Sequence, residues 1–248
     1  MISVRNVDKS FDGVHAVQDL SFEVASGEVF GLLGPNGAGK TTTLRILATL
    51  LAPDAGSATV AGHDIVKDAE AVRATIGVVN GGMGLYDRLN GREILHYFGH
   101  LYGMTAAAID RRVRELDDLL DLGDTLTRRA GGFSSGMKQK IVVARAVVHD
   151  PPVIFFDEAT SGLDVVARRA LLEFVRSYPT EGRAVIYSTH VMSEVEALCD
   201  RACIIFQGRK IAEDTIAGLS EAGDGKGLEE AFFRLVDRSG LRAEEVAA

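Results

Sequence analysis

Val29-Phe30-Gly31-Leu32-Leu33-Gly34-Pro35-Asn36-Gly37-Ala38-Gly39-Lys40-Thr41 runs from an apolar stretch through a glycine-rich loop into the start of a helical pattern. Its last eight residues fit G-x-x-x-x-G-K-[ST], with the buried strand before and the helix after that the motif's mechanism requires. Gly34, Gly37 and Gly39, with Pro35, Asn36 and Ala38 between them, let successive backbone N–H groups wrap phosphates, and the helix N-terminus adds its positive end. Lys40 then reaches the β- and γ-phosphates as a mobile point charge, Thr41 offers its hydroxyl to Mg²⁺, and Thr42 follows as a further nucleotide contact. A glycine turn that merely caps a helix is the bland alternative, and the complete motif with correct flanks weighs against it.

Further along, Val153-Ile154-Phe155-Phe156-Asp157-Glu158 is a second apolar strand, ending in two carboxylates. Asp157 at the strand's end faces Mg²⁺, and Glu158, one residue on, points to the attacking water. Two acids after a strand also serve as turns or helix caps, so the pair gains its meaning from the loop. Both apolar runs suit central strands buried on both faces.

Around these two stretches the pattern alternates. Strands are expected at 3–7, 21–24, 29–33, 58–60, 76–79, 153–156, 184–188 and 202–206, and helices at 40–51, 92–102, 106–120, 135–149, 165–177 and 192–198. Such alternation predicts an α/β fold with a parallel sheet flanked by helices. The block from about 84 to 144 is mostly helical and reads as a helical subdomain. From Gly223 onward a glycine-rich stretch leads into a short helix and a closing Ala-Glu-Glu-Val-Ala-Ala that reads as frayed.

A net charge of −8 argues against a non-specific nucleic-acid binder, whose footprint is basic. No stretch approaches the roughly 18 apolar residues that span a bilayer, and the N-terminus has no signal-peptide core. A cytoplasmic protein is expected, reaching a membrane only through a partner. Cys199 and Cys203 lack neighbouring histidines to complete a zinc site and read as buried small side chains.

Four more segments identify a family. Ser161-Gly162-Leu163-Asp164 follows the carboxylates, His190 follows the strand at 184–188, and Phe11 lies in Ser10-Phe11-Asp12-Gly13. Phe133-Ser134-Ser135-Gly136-Met137 opens a helix. Taken singly, each has an ordinary structural reading. In this order, and with the loop and carboxylates, they resemble the ATPase subunits of ABC transporters over residues 2 to 219.

The resemblance implies a P-loop NTPase fold of ABC type: a mostly parallel central sheet, an N-terminal antiparallel β subdomain and a helical subdomain. It implies an ATPase domain over 1–219 with a short C-terminal appendage at 220–248. ATP and Mg²⁺ are the implied cofactors, with Thr41 and Asp157 on the metal. Phe11 is implied to stack on adenine, His190 to contact the γ-phosphate, Asp164 to communicate between subunits, and Ser134, Ser135 and Gly136 to face the γ-phosphate of a second subunit. The implied partners are a membrane-spanning permease, which holds this chain peripherally on the cytoplasmic face of the cell membrane, and a second ATPase subunit, a homodimer formed on ATP binding, with no nucleic acid. Lys40, Glu158 and His190 form the implied catalytic set.

Two departures stand out. The signature reads Phe-Ser-Ser-Gly-Met in place of Leu-Ser-Gly-Gly-Gln, and Gly81 of Asn80-Gly81-Gly82-Met83-Gly84 stands where the family usually has a glutamine, so that either the contact is absent or Asn80 substitutes as a polar sensor. This loop, running into Gly-Leu-Tyr-Asp-Arg-Leu, together with Ser-Ser-Gly-Met-Lys-Gln-Lys, resembles the ATPases of sodium-extruding ABC exporters and the neighbouring drug and polysaccharide exporters. The stretch 85–102, with Leu85, Tyr86, Leu89, Tyr97 and Phe98, is a docking surface for a partner's short helix or plain core packing. A soluble ABC ATPase such as an iron–sulfur assembly factor is the alternative function. A GTPase is disfavoured because no Asn-Lys-x-Asp guanine reader occurs. A small-molecule kinase leaves the signature and His190 unexplained.

Overall fold

The computed structural model describes residues 1–241, so the closing 243–248, read above as frayed, lie outside the described residues. The chain begins with β1 (Ile2–Phe11), β2 (Val14–Val24), β3 (Val29–Leu33), α1 (Lys40–Leu47), β4 (Ala55–Val60), β5 (His63–Asp64), α2 (Ala69–Thr75) and β6 (Ile76–Asn80). Three helices follow without a strand: α3 (Gly91–Leu101), α4 (Ala106–Leu120) and α5 (Ser135–Val147). Next come β7 (Val153–Asp157), α6 (Val165–Ser177), β8 (Ala184–Thr189), α7 (Met192–Leu198), β9 (Arg201–Phe206) and β10 (Arg209–Thr215). Last are α8 (Ile216–Ala222) and α9 (Leu228–Ser239).

Two sheets result. The larger runs β10-β9-β3-β8-β7-β6 and is parallel except for β10 against β9. The smaller, β2-β1-β4-β5, is antiparallel. The α/β class and the antiparallel N-terminal sheet agree with the sequence.

Side-chain alternation along the two apolar runs divides the interior in two. Phe30, Leu32, Val153 and Phe155 face a core shared with the small sheet and α1. Val29, Leu33, Ile154 and Phe156 face the opposite core, built with α3 to α9. Phe22 of β2 stacks on Phe30 of β3 with centroids 5.2 Å apart, which joins the two sheets. Burying each such ring fully contributes about 2–3 kcal/mol.

Local differences from expectation have local causes. The first hairpin is far longer than 3–7 and 21–24, because Asp12 (φ 49) and Gly13 (φ 82) form a tight left-handed turn matched to strand twist. α1 stops at Leu47 rather than 51: Thr49 turns left-handed (φ 61), and Leu50 N–H folds back to the Arg45 carbonyl at 2.8 Å. α5 ends at Val147, short of 149, before left-handed Asp150 and Pro151-Pro152. α2, β5 and β10 were not expected at all.

The described part of the segment read as an appendage, residues 220–241, packs back on the larger core through Leu228, Phe232 and Val236, with Phe232 edge-on to Phe206 at 6.0 Å. Cys199 and Cys203 are buried, and burial pushes both thiols up, away from reactivity. Among the described residues no helix is long and apolar enough to cross a membrane.

The strand register decides where chemistry can occur. Leu33 pairs with Thr189, Asp157 with Ser188, and Asn80 with Asp157. The C-terminal ends of β3, β8, β7 and β6 therefore lie along one edge, where open parallel sheets bind ligands.

Candidate functional site

The loop after β3 wraps a cavity of about 320 Å³ lined by Ala16, the stretch 36–42 and Glu158. Gly39 is held at φ 104, and a Cβ there would lie 2.3 Å from the Ala16 carbonyl oxygen, so no other residue fits. Lys40 opens α1 directly behind it and is 4% exposed. Its amine donates to the Gly34 carbonyl at 2.8 Å and the Pro35 carbonyl at 3.0 Å. Burial holds this amine below the usual lysine range, opposed by the charges of Glu158 and Asp157. Asn36, Gly37, Ala38, Thr41 and Thr42 line the same cavity, whereas Gly34 and Pro35 sit behind it.

The end of β7 supplies the acids. Asp157 Oδ1 accepts from the Ser188 hydroxyl at 2.9 Å, across the paired strand ends. Glu158 sits in the left-handed region at φ 48, pinned by its N–H to the Ser188 carbonyl at 2.9 Å and by Ser161 N–H to its own carbonyl at 3.1 Å. A non-glycine residue in that region costs on the order of 1 kcal/mol and persists when its surroundings over-determine it. Glu158 Oε1 then lies 3.6 Å from Lys40 Nζ, an ion pair too long for a hydrogen bond, and 3.2 Å from His190 Nδ1. Lys40, Glu158 and His190 thus form one continuous polar chain. The hydroxyl of Thr41 and the carboxylate of Asp157 are hard oxygen donors of the kind Mg²⁺ prefers.

Other expected residues stand elsewhere. Phe11 lies at the tip of the β1–β2 hairpin, 44% exposed, with the Lys9 ammonium 5.6 Å from its ring centre; it does not line the loop cavity. Ser134, Gly136 and Asp164 line a different cavity of about 910 Å³ between α5 and α6. There Ser134 Oγ caps α5 by accepting from Met137 N–H at 3.2 Å, and Asp164 Oδ1 caps α6 by accepting from Ala167 N–H at 2.9 Å. Ser135 Oγ donates to Asp164 Oδ2 at 3.4 Å, and a Cβ at Gly136 would sit 3.3 Å from Ala167 Cβ. Within one chain, then, the signature and Asp164 form a unit apart from the glycine-rich loop.

Gly81, at the place where a glutamine was expected, follows the end of β6 and donates its N–H to the Asp157 carbonyl at 3.0 Å. A Cβ on it would lie 2.8 Å from the Glu158 carbonyl oxygen. Sequence reasoning missed Ser188, the partner of Asp157, and Ala16, which closes the cavity from β2. Neither belongs to a motif; a polar residue at the end of a buried strand was the only signal for Ser188.

The family model described as ABC transporter matches residues 17–161. The chain is 42% identical over 238 residues to the ABC transporter ATP-binding protein NatA of Bacillus subtilis (strain 168), covering 94% of this chain and 97% of that one. It is 43% identical over 221 residues to the Nod factor export ATP-binding protein I of Burkholderia lata, covering 89% and 73%. It is 40% identical over 214 residues to the daunorubicin resistance ATP-binding protein DrrA3 of Streptomyces coeruleorubidus, covering 86% and 68%. Among solved structures, an ATP binding subunit of an ABC transporter superposes with a TM-score of 0.86 at 29% identity, covering 95% of this chain and 99% of that one.

Proposed function

The chain belongs to the ABC transporter family of ATP-binding subunits, and from that premise we propose that it drives an exporter whose membrane-spanning part is a separate permease. It is an ABC-type ATPase that binds ATP. The observation that carries the finer reading is the separation of the two half-sites. Lys40, Glu158 and His190 line one face, while Ser134, Ser135, Gly136 and Asp164 gather at another cavity. A complete site therefore takes two copies of the chain, the loop of one meeting the signature of the other across ATP.

In that arrangement Lys40 and the loop N–H groups hold the phosphates and neutralise charge as the γ-phosphoryl group moves. Glu158, fixed by its left-handed backbone, orients the attacking water and takes its proton, and His190 holds the γ-phosphate. Thr41 and Asp157 would hold Mg²⁺, which supplies charge neutralisation on the phosphate oxygens. Ser188 fixes the Asp157 carboxylate that does so. Phe11, exposed at its hairpin tip, offers a ring for adenine. ATP draws two copies together and hydrolysis releases them, a population shift driven by differential affinity.

The export direction is supported by the relatives named for Nod factor export and daunorubicin resistance. Sodium is the cargo nominated by the Gly81–Gly84 loop and the Ser-Ser-Gly-Met-Lys-Gln-Lys run. The docking surface is a groove of about 580 Å³ lined by Leu85, Tyr86, Asp87, Arg88, Leu89 and Tyr97. Tyr86 and Tyr97, half exposed and edge-to-face at 5.7 Å, are the contact residues. Phe98 instead packs against the core beneath the Arg145 guanidinium. Pull-down from detergent-solubilised native membranes tests the reading. Stoichiometric recovery of a polytopic membrane protein supports it, and recovery of soluble partners alone from an intact complex overturns it in favour of a cytosolic assembly ATPase.

A further inference from the structure

Glu194, in the first turn of α7, is 1% exposed, more deeply buried than any other carboxylate among the described residues. A charge that deep persists only when paired. Glu194 Oε2 accepts from the Tyr187 hydroxyl at 2.8 Å and the Thr189 hydroxyl at 3.1 Å. Its Oε1 is approached at 2.7 Å by Arg168 Nη2, off the line of a directed hydrogen bond, so charge attraction makes that contact. Burial pushes the Tyr187 hydroxyl up, which keeps it a donor.

These contacts join two regions. On one side, Thr189 Oγ1 also accepts from Val191 N–H at 3.1 Å, so the hydroxyl of the residue before His190 holds the backbone of the residue after it. On the other side, Arg168 N–H donates to the Asp164 carbonyl at 2.9 Å, in the first turn of the helix that Asp164 caps and Ser135 touches. A continuous line of charged and polar contacts therefore runs from the signature through Asp164, Arg168, Glu194 and Thr189 to His190.

We propose that Arg168 and Glu194 are positioning residues that link the signature-bearing face of the subunit to its own His190 turn. When a second copy's nucleotide engages Ser134, Ser135 and Asp164, the first turn of α6 moves with them. Arg168 transmits that displacement through the buried carboxylate to the residue preceding His190. This rests on the reading of His190 as the γ-phosphate contact. Neither Arg168 nor Glu194 touches nucleotide, so their loss alters kcat and leaves ATP affinity, set by the loop around Lys40, in place.

The test is steady-state ATP hydrolysis by the full chain carrying Arg168→Gln, Glu194→Gln, both, His190→Ala, or His190→Ala with Glu194→Gln. Glu194→Gln keeps an acceptor for Tyr187 and Thr189 while removing the charge; Arg168 lies on a partly exposed helix face and its variant folds if Glu194→Gln does not. We expect Arg168→Gln and Glu194→Gln each to lower kcat roughly ten- to hundredfold at unchanged KM, the scale set by sub-ångström misplacement of a catalytic group, and His190→Ala to lower kcat at least as far. The double variant should fall no further than the singles, because both cut one linkage. Adding Glu194→Gln to His190→Ala should cost nothing more. Parental kcat in a folded Arg168→Gln, or losses that multiply in either double, overturns the linkage while His190→Ala remains impaired. Parental kcat in His190→Ala overturns the reading of His190 itself, and the linkage with it.

Discussion

Replacing Gly81 by alanine tests how tightly the departed loop is fitted to Glu158, the proposed general base. A Cβ at this position would lie 2.8 Å from the Glu158 carbonyl oxygen. Carbon–oxygen contacts close no nearer than about 3.3 Å, so one of the two backbones must give by roughly 0.5 Å. Gly81 is tethered to the same strand end by its N–H to the Asp157 carbonyl at 3.0 Å, and moving it outward stretches that bond. The stability loss is therefore bounded by about one hydrogen bond, on the order of 1 kcal/mol. Glu158 is less free to move without consequence. Its left-handed backbone aims the side chain at His190, and on the proposed reading a shift of half an ångström would change where the attacking water is held. Since about 1 Å of misplacement can cost a hundredfold, a roughly tenfold fall in kcat is expected. Steady-state hydrolysis by Gly81→Ala, with thermal melting and ATP affinity measured alongside, separates the two effects. A folded variant with parental kcat would refute the claim that this contact positions Glu158.

Three other outcomes follow from the same geometry. Glu158→Gln should keep ATP affinity, lose turnover by about a hundredfold or more as expected for a missing general base, and elute as an ATP-dependent dimer in size exclusion; near-normal turnover would remove Glu158 from the mechanism. Phe11→Ala should weaken ATP binding by about 1–3 kcal/mol, the worth of one aromatic–base stack, with little change in melting temperature because the ring is 44% exposed; unchanged affinity by calorimetry would remove it from the adenine site. His149 stacks on Tyr102 at 3.6 Å, donates Nε2–H to the Ile76 carbonyl, leaves a buried Nδ1 unpartnered, and is pushed down to about 4 by burial from 6.5. The unfolded chain binds the proton first, so stability should fall as pH drops from 6.5 toward 4, by about 3 kcal/mol at most; denaturant titrations of His149→Phe should show a flatter pH dependence, and an unchanged slope would clear this histidine.

What the sequence discloses here is what lies contiguous along the chain. The loop from Gly34 to Thr41 combines local backbone geometry with chemistry in a few residues and is legible by its own spacing, while the acids closing β7 gain their meaning from it and the signature opening α5 from the family resemblance. The α/β class follows from the buried runs at 29–33 and 153–156 for the same reason. The Asp12-Gly13 turn was equally local, and its hairpin could have been read from the alternation on either side. Contacts between distant strand ends were hidden. Ser188 meets Asp157 only because β7 and β8 pair in one register, and Gly81 crowds Glu158 only because β6 lies beside β7. The half-sites present the deeper case. Sequence puts Lys40 and Ser134 on one list, yet the fold gives each its own cavity. On the proposed reading, that separation makes hydrolysis depend on assembly. A subunit whose signature closed over its own loop would hydrolyse ATP without a second copy, and its cycle could not open and close anything.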